Sequence, residues 1–256
     1  MATFVQTAAQ LFSGGVKFTC FTDQLSLEMT ADPVEFTNYC STGAREYRQG
    51  LRTWQVDAQG FADFAAVGAT TGGLVPGEEI IPANLNGTTT NLTVCPVDGS
   101  EGAVAYLASG AYSQMMLLGG AVGDPGRYGF TAVPATLADG HKLVRGRLEA
   151  NRTVTTSTST TGTQFGAVAA GQRLAASLHV FTLSGTSPTL DVKVQSDDNS
   201  GFTTPTDRIT FSQASTRSGQ FAYINGAVAD DYWRVTWTIG GSSTPTVAFA
   251  VAFGIA

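Results

Sequence analysis

Apolar and polar residues alternate with a period of two over several short stretches of this sequence. The pattern runs over residues 24–29 and 53–59, and it returns over 174–181, 190–195 and 232–239. A period of two places the apolar side chains on one face of an extended chain, so each stretch predicts a half-buried β-strand. No stretch shows the longer period of an amphipathic helix of comparable length.

The segment TVAFAVAFGIA, residues 246–256, is apolar on both faces. A strand of this kind is typical of the centre of a structure, where both faces are covered. Turn sequences such as SGTSP, SDDNSG and IGGSSTP separate the alternating stretches. We therefore predict a mainly β chain built as a β-sandwich, with further short strands near 91–96, 103–108, 112–118, 127–133 and 142–149.

Charge is sparse and acidic in this chain of 256 residues. Only 13% of the residues are charged, the formal net charge is −6, and eleven Arg accompany three Lys. An acidic surface argues against tight binding to nucleic acid, which requires basic residues to replace the counterions of phosphates. The excess of Arg over Lys is typical of protein interfaces and is consistent with assembly, although genomic composition can also produce it. The first fifteen residues lack the basic start of a secretory signal, so we expect synthesis without export.

The sequence contains no recognisable pattern for catalysis or for cofactor binding. Cys20, Cys40 and Cys95 lack metal-ligand spacing, and His141 and His179 lie in no nucleophile or metal signature. We therefore expect a protein without enzyme activity and without a cofactor. Asp197, Asp198 and Asn199 form a weak candidate calcium site, but the same residue types favour a hairpin turn, which we prefer. The adjacent carboxylates Glu78–Glu79 and Asp230–Asp231 would point to opposite faces of a strand.

Charged residues concentrate in STGAREYRQGLRTWQVDAQGFADF, residues 41–64. The arginines have helical spacing, although Gly50 disfavours a helix, so we predict a short helix or turn over 43–49 and a strand from Leu51. Arginine and aromatic residues often anchor interfaces between subunits. The predicted interface residues are Arg45, Glu46, Arg48, Arg52 and Trp54. For Trp54, a place in the core of its own chain remains an equal alternative.

Residues 25–64, LSLEMTADPVEFTNYCSTGAREYRQGLRTWQVDAQGFADF, resemble the N-terminal part of the tail tube proteins, or major tail proteins, of long-tailed bacteriophages. A second passage, FGAVAAGQRLAASLHVF with LDVKVQSDDNSGF, is similar to C-terminal regions of phage structural proteins. The first resemblance rests on a segment of the form S-T-G-x-R-E-x-x-x-G-L and a strand of the form W-x-V-x-x-x-G-F. The matching residues are Ser41, Thr42, Gly43, Arg45, Glu46, Gly50, Leu51, Trp54, Val56, Gly60 and Phe61.

The resemblance implies a tail-tube-type β-sandwich or barrel with a short flanking helix, followed by a C-terminal β-sandwich domain. It implies hexameric rings that stack into a conduit for genome delivery, in the virion tail, after synthesis in the cytoplasm of the bacterial host. The implied partners are further copies of the chain, tape-measure and tail-terminator proteins, and DNA in passage, with no membrane. We predict a tail-tube-like domain over 1–150, with 1–15 as an arm or first edge element. A Ser/Thr-rich linker or edge strand over 151–164 and an outer decoration domain over 165–256 complete the division.

A tube for DNA should not attract the phosphates that pass through it, and carboxylates repel phosphates over a Debye length of about 10 Å. If the strands over 24–29 and 53–59 line the tube, their polar faces place Glu28 and Asp57 toward the lumen. Three alternatives remain. One is a carbohydrate-binding β-sandwich that uses Tyr232, Trp233 and Trp237, although both tryptophans alternate as core residues do. The others are a head-decoration protein and a hydrolase with dispersed carboxylates.

Overall fold

The computed structural model describes residues 8–18, 22–37, 45–62, 89–119, 121–135 and 143–256. Throughout these ranges the regular structure is β-strand, and no helix occurs in them. The prediction of a mainly β chain is therefore confirmed. Several residues singled out in the sequence lie outside the described ranges, namely Cys20, Cys40, Ser41, Thr42, Gly43, Glu78, Glu79 and His141.

Fourteen strands form one continuous sheet in the described part of the chain. In the N-terminal half they are β1 (Gln10–Ser13), β2 (Val16–Lys17), β3 (Thr22–Glu35), β4 (Tyr47–Phe61), β5 (Thr90–Cys95), β6 (Val104–Gly119) and β7 (Arg127–Pro134). In the C-terminal half they are β8 (Val144–Val154), β9 (Thr158–Ser159), β10 (Thr163–Gln164), β11 (Arg173–Asp197), β12 (Thr206–Thr210), β13 (Ser218–Asn225) and β14 (Tyr232–Ile255).

Four strands of the N-terminal half form an antiparallel sheet in the order β3-β4-β7-β6. The predicted strands over 24–29 and 53–59 are the central parts of β3 and β4, which are much longer. The predicted helix over 43–49 is wrong for its described part, because Tyr47 to Gln49 belong to β4 and pair with Pro33 to Glu35 of β3. In the strand, the backbone N–H and C=O groups of these residues can form hydrogen bonds with β3, whereas in a helix they would bond to groups within the same segment. Gly50 also disfavours a helix.

The C-terminal half is organised by two long strands, β11 and β14, which pair along almost their whole length. The pairing is irregular between Ser184 and Thr189, and at this point the two strands bend together. Residues with positive φ cluster at the bend; they are Gly185, Ser187, Gly241, Ser243 and Thr244. Apolar residues from both sides of the bend share one hydrophobic cluster, so the two parts of the bent pair pack against each other. The sequence predicts separate strands over 174–181 and 190–195, but in the structure both belong to the single bent strand β11. In the same way, the predicted strands over 232–239 and 246–256 both belong to β14.

Three hydrophobic clusters hold the described part of the chain together. The first lies in the C-terminal half and contains Trp233 and Trp237, as their alternation predicts. The second lies under the β3-β4-β7-β6 sheet, and the third lies between the two halves of the chain. The C-terminal part of β14 contributes Phe249 to the first cluster and Ala250 to the third. The prediction of a central strand covered on both faces is therefore confirmed.

The segments that flank the predicted domains are part of the sheet where they are described. Gln10–Ser13 of β1 pairs with β5, so this stretch is an internal strand. Within residues 151–164, the end of β8, β9 and β10 all pair with β14. β8 also pairs with β6 and thereby joins the two halves in one sheet. The division into domains at 150 and 165 stays a prediction.

Candidate assembly surface

The β3-β4-β7-β6 sheet has one apolar face and one polar face. Trp54, Val56 and Ala58 of β4 point into the second hydrophobic cluster, where they meet Tyr128 and Phe130 of β7. Trp54 is only 1% exposed. It therefore lies in the core of its own chain, the alternative that its sequence position left open, and it supports the sheet from inside.

The opposite face of the same sheet carries amide, hydroxyl and carboxylate groups. Across the β3–β4 pair, Ser26 lies opposite Asp57 and Glu28 lies opposite Gln55. The predicted lumen residues Glu28 and Asp57 thus share one face, as their alternation predicts. With its neighbours this polar face comprises Gln24, Ser26, Glu28, Thr30, Thr53, Gln55, Asp57, Gln59, Gln114 and Thr131.

Asp57 lies at the centre of the polar face, in a shallow depression of about 340 Å³. Its carboxylate accepts hydrogen bonds from Gln55 Nε2 at 2.7 Å and from Thr131 Oγ1 at 2.6 Å. At one end of the face, the charges of Asp23 and Arg127 neutralise each other in an ion pair. The described polar face is therefore weakly acidic, and its central carboxylate is held in place by Gln55 of its own strand and by Thr131 of β7.

The β3–β4 hairpin extends beyond the core as an arm, which we define as residues 29–37 and 45–53. The predicted interface residues Arg45, Glu46, Arg48 and Arg52 all lie on this arm and are exposed. Arg48 stacks over the ring of Phe36 at 4.3 Å, and Arg45 lies 3.8 Å from Glu35. An ion pair this exposed contributes little to the stability of one chain.

The arm also exposes large apolar side chains that the sequence analysis did not single out. Leu51 is 84% exposed and Met29 is 64% exposed. Three further large apolar residues of the arm are also exposed, namely Val34, Phe36 and Tyr47. An apolar group of this size mixed with arginine is typical of a surface that another protein covers. Next to Met29 opens an apolar groove of about 500 Å³, lined by Leu25, Leu27, Met29, Val94, Pro96, Tyr106 and Leu143.

Two edges of the β3-β4-β7-β6 sheet lack a strand partner among the described residues. β3 pairs with β4 alone. β6 pairs with β5 and β8 over Val104–Gly110, but from Ala111 to Gly119 its described partner is β7 alone. An unpaired edge presents a row of free backbone N–H and C=O groups, which can pair with a strand of another chain.

The other candidate residues take structural roles. Asp197 accepts hydrogen bonds from the backbone N–H groups of Asn199 at 3.2 Å and Thr204 at 2.9 Å, as in the turn that the sequence favoured. Among the described residues no group of three or more His, Cys, Asp or Glu side chains could hold a metal ion. Burial raises the pKa of Cys95 to about 12, so this thiol is unreactive at neutral pH. The described residues contain no helix long and apolar enough to cross a membrane.

Comparison with known proteins gives structural matches of low similarity. No family model and no curated protein matches this chain. A chain from the virion of a native gene transfer agent particle is 15% identical with a TM-score of 0.38, and the match covers 50% of this chain and 92% of that chain. A chain from the tail of an empty gene transfer agent particle, solved with C6 symmetry, is 15% identical with a TM-score of 0.36, covering 46% and 79%.

The Dit protein of phage SPP1, described as a hub of the adsorption apparatus, is 11% identical with a TM-score of 0.32. That match covers 98% of this chain and 100% of Dit. Similarity this low transfers no residue role to the chain, whose assembly has to be inferred from its own surfaces.

Proposed function

We propose that this chain is a structural subunit of a phage tail, which assembles into hexameric rings that stack into a hollow tube. The observation that carries the proposal is the β3-β4-β7-β6 sheet, which among the described residues has two edges without a strand partner, a polar face, and an apolar face packed on the second hydrophobic cluster. Such a sheet can continue into a neighbouring copy at both edges. Its role is to build a wall, and no step of this role requires catalysis.

The strand directions allow the sheet to continue without a break. The four strands alternate in direction, so β3 and β6 run antiparallel to each other at the two edges. When copies are related by rotation about a common axis, β3 of one copy meets β6 of the next in antiparallel orientation. All polar faces then lie on the same side. This is a heterologous contact, and it closes into a ring if the rotation closes.

Six copies would contribute about 24 strands to a closed barrel. With strands about 4.8 Å apart and tilted by about 40°, such a barrel measures about 48 Å across between backbones. Barrels of 16–18 strands already enclose an aqueous channel, so this one would be open. Glu28 and Asp57 would line the lumen together with neutral amides and hydroxyls. Phosphates passing this surface would meet weak repulsion and no basic residue from the central part of the face.

The C-terminal half would lie outside the tube. The second hydrophobic cluster covers the apolar face of the four-stranded sheet, and the third cluster joins the C-terminal half beyond it. The C-terminal half is therefore on the side away from the polar face. In the proposed ring it decorates the outer surface.

Stacking of rings needs a second kind of contact, and the arm is suited to it. The arm exposes Met29 and Leu51 together with Arg48 and Arg52, the mixture found at the centre of interfaces. The apolar side chains of the arm could bind the apolar groove beside Met29 of another copy. A contact between unlike surfaces does not close on itself, so it can be repeated along a filament.

Electron microscopy of the concentrated, purified chain tests the proposal. We expect rings or rods with a central channel, and a reconstruction should place Glu28 and Asp57 on the channel wall. Particles that remain monomeric at high concentration would contradict the proposal. A channel lined with lysine and arginine would contradict the assigned lumen face even if rods formed.

Cross-linking tests the edge-to-edge contact separately. With Cys20 and Cys40 replaced by serine, Gln114→Cys on β6 is combined with Ser26→Cys on β3, and a short bis-maleimide is added. We expect a ladder of covalent multimers that ends at six. Gln59→Cys in place of Ser26→Cys is the matched control, because it lies on the same face but on β4, which has a strand on each side. A ladder of equal strength from the control would contradict edge pairing.

A further inference from the structure

The two sheet edges that lack a partner within the described ranges differ in charge. β3 carries four carboxylates, Asp23, Glu28, Asp32 and Glu35, and neither Lys nor Arg. The segment of β6 from Ala111 to Gly119 carries no charged residue. Pairing of the acidic edge with the neutral edge therefore brings no like charges together, whereas pairing with a second acidic edge is unfavourable.

Two of the four carboxylates keep their charge uncompensated among the described residues. Asp23 pairs with Arg127, and Glu35 lies 3.8 Å from Arg45. No described residue forms an ion pair with Glu28 or Asp32, and both are exposed. Their negative charges would therefore act on any strand that approaches this edge.

We propose that Glu28 and Asp32 prevent β3 from pairing with β3 of another copy and so direct it to the uncharged edge of β6. The inference rests on the proposed edge-to-edge ring and adds the device that selects the correct edge. A β3–β3 pair would be an isologous contact, which uses the same surface twice and closes a dimer. Such a dimer would block both β3 edges and stop the growth of a ring.

The geometry of a β3–β3 pair brings the two carboxylates together. In an antiparallel pair with a two-fold axis at Thr30, Glu28 of one copy lies directly opposite Asp32 of the other, and the pairing is repeated on the other side of the axis. Directly opposite residues have Cβ atoms about 4.5–5.5 Å apart, and like charges at this distance are destabilising. In a β3–β6 pair the same carboxylates face only neutral residues, including Gln114, which can donate hydrogen bonds.

A cysteine at the two-fold position reports a β3–β3 pair. Thr30→Cys, in the background without Cys20 and Cys40, would lie opposite its own copy at a Cα separation of about 4.5–5.5 Å, which a disulfide can bridge. In otherwise native chains we expect little covalent dimer. With Glu28→Gln and Asp32→Asn added, we expect the dimer fraction to rise at least fivefold, and the ladder of β3–β6 cross-links to weaken.

The matched control removes two carboxylates of the C-terminal half, by Asp191→Asn and Asp198→Asn, and should leave the dimer fraction unchanged. An equal rise in the control would overturn the proposal, because net charge alone would then explain it. If the Glu28 and Asp32 variant forms no more dimer than native chains while rods still form, the proposal is wrong and the proposed function stands. If native chains form neither rods nor ladders, the proposed function fails, and a gain of dimer in the neutralised variant would still support the role of the two carboxylates.

Discussion

His179 is buried at the junction between the two halves of the chain, and its ionisation should control the stability of the fold in acid. Its Nε2 atom lies 2.9 Å from Thr93 Oγ1 and 3.0 Å from Ser177 Oγ. The rings of Phe12 and Phe181 flank the imidazole. Burial lowers the pKa of His179 from 6.5 to about 3. The imidazole is therefore neutral in the folded chain at physiological pH.

The sign of the effect follows from the lowered pKa. Between about pH 6.5 and pH 3 the unfolded chain binds a proton at His179 and the folded chain does not. Stability is therefore complete above about pH 6.5 and falls as the pH drops through this window, by about 1.4 kcal/mol per pH unit. From these two values we expect His179 to account for a loss of about 2 kcal/mol between pH 7 and pH 5.

Urea unfolding followed by tryptophan fluorescence at pH 7 and pH 5 measures this loss. In the His179→Gln variant, the amide keeps a polar group near the position of Nε2 but does not titrate. We expect the variant to be less stable than the native chain at pH 7 and to lose about 2 kcal/mol less on going to pH 5. His141→Gln is the matched control, since it removes the other histidine. If His179→Gln and the native chain lose equal stability between the two pH values, the reasoning is refuted.

Three further predictions concern packing and assembly. Gly110→Ala should destabilise the fold by about 1–3 kcal/mol, because its Cβ would lie 2.6 Å from Trp54 Cη2 and 2.8 Å from Val133 O; an unchanged urea midpoint would contradict this. Phe249→Ala should cost about 3–5 kcal/mol in urea unfolding, whereas exposed Thr238→Ala should change stability by less than about 0.5 kcal/mol. Leu51→Ser should leave monomer stability within about 0.5 kcal/mol but reduce the yield of rods several-fold in electron micrographs; rods of normal length would refute its role in stacking.

The periodicity of the sequence predicts the strands well because burial enforces it. The alternation around Trp54 and Val56 places those residues in the core and Asp57 on the polar face, as the structure has them. The same rule predicts the doubly covered part of β14. A local pattern does not predict where a strand continues past a bend, so β11 and β14 could not be recognised as single strands.

The arm shows why helical spacing of charges is a weak signal. Arg45, Arg48 and Arg52 are three and four residues apart, but long arginine side chains reach solvent from an extended arm as readily as from a helix. The exposed residues Val34 and Leu51 could not be distinguished from core residues in the sequence, because exposure depends on how far the hairpin extends beyond the core. The available signal was Pro33, because proline within a strand is confined to sheet edges and bulges.

The bent pairing of β11 with β14 also affects how the chain folds during synthesis. β14 follows β8, β9, β10 and β11 in the sequence and pairs with all of them. Leu174 finds its partner Ile255 only after about eighty more residues have left the ribosome, so this is a slow, non-local step. Until then β8 and β11 expose strand edges and apolar faces in a crowded cell, where many copies are made together. Substitutions that slow or weaken the pairing of β14 with the earlier strands should therefore cause nascent chains to aggregate. We expect this aggregation before any effect on the assembled particle.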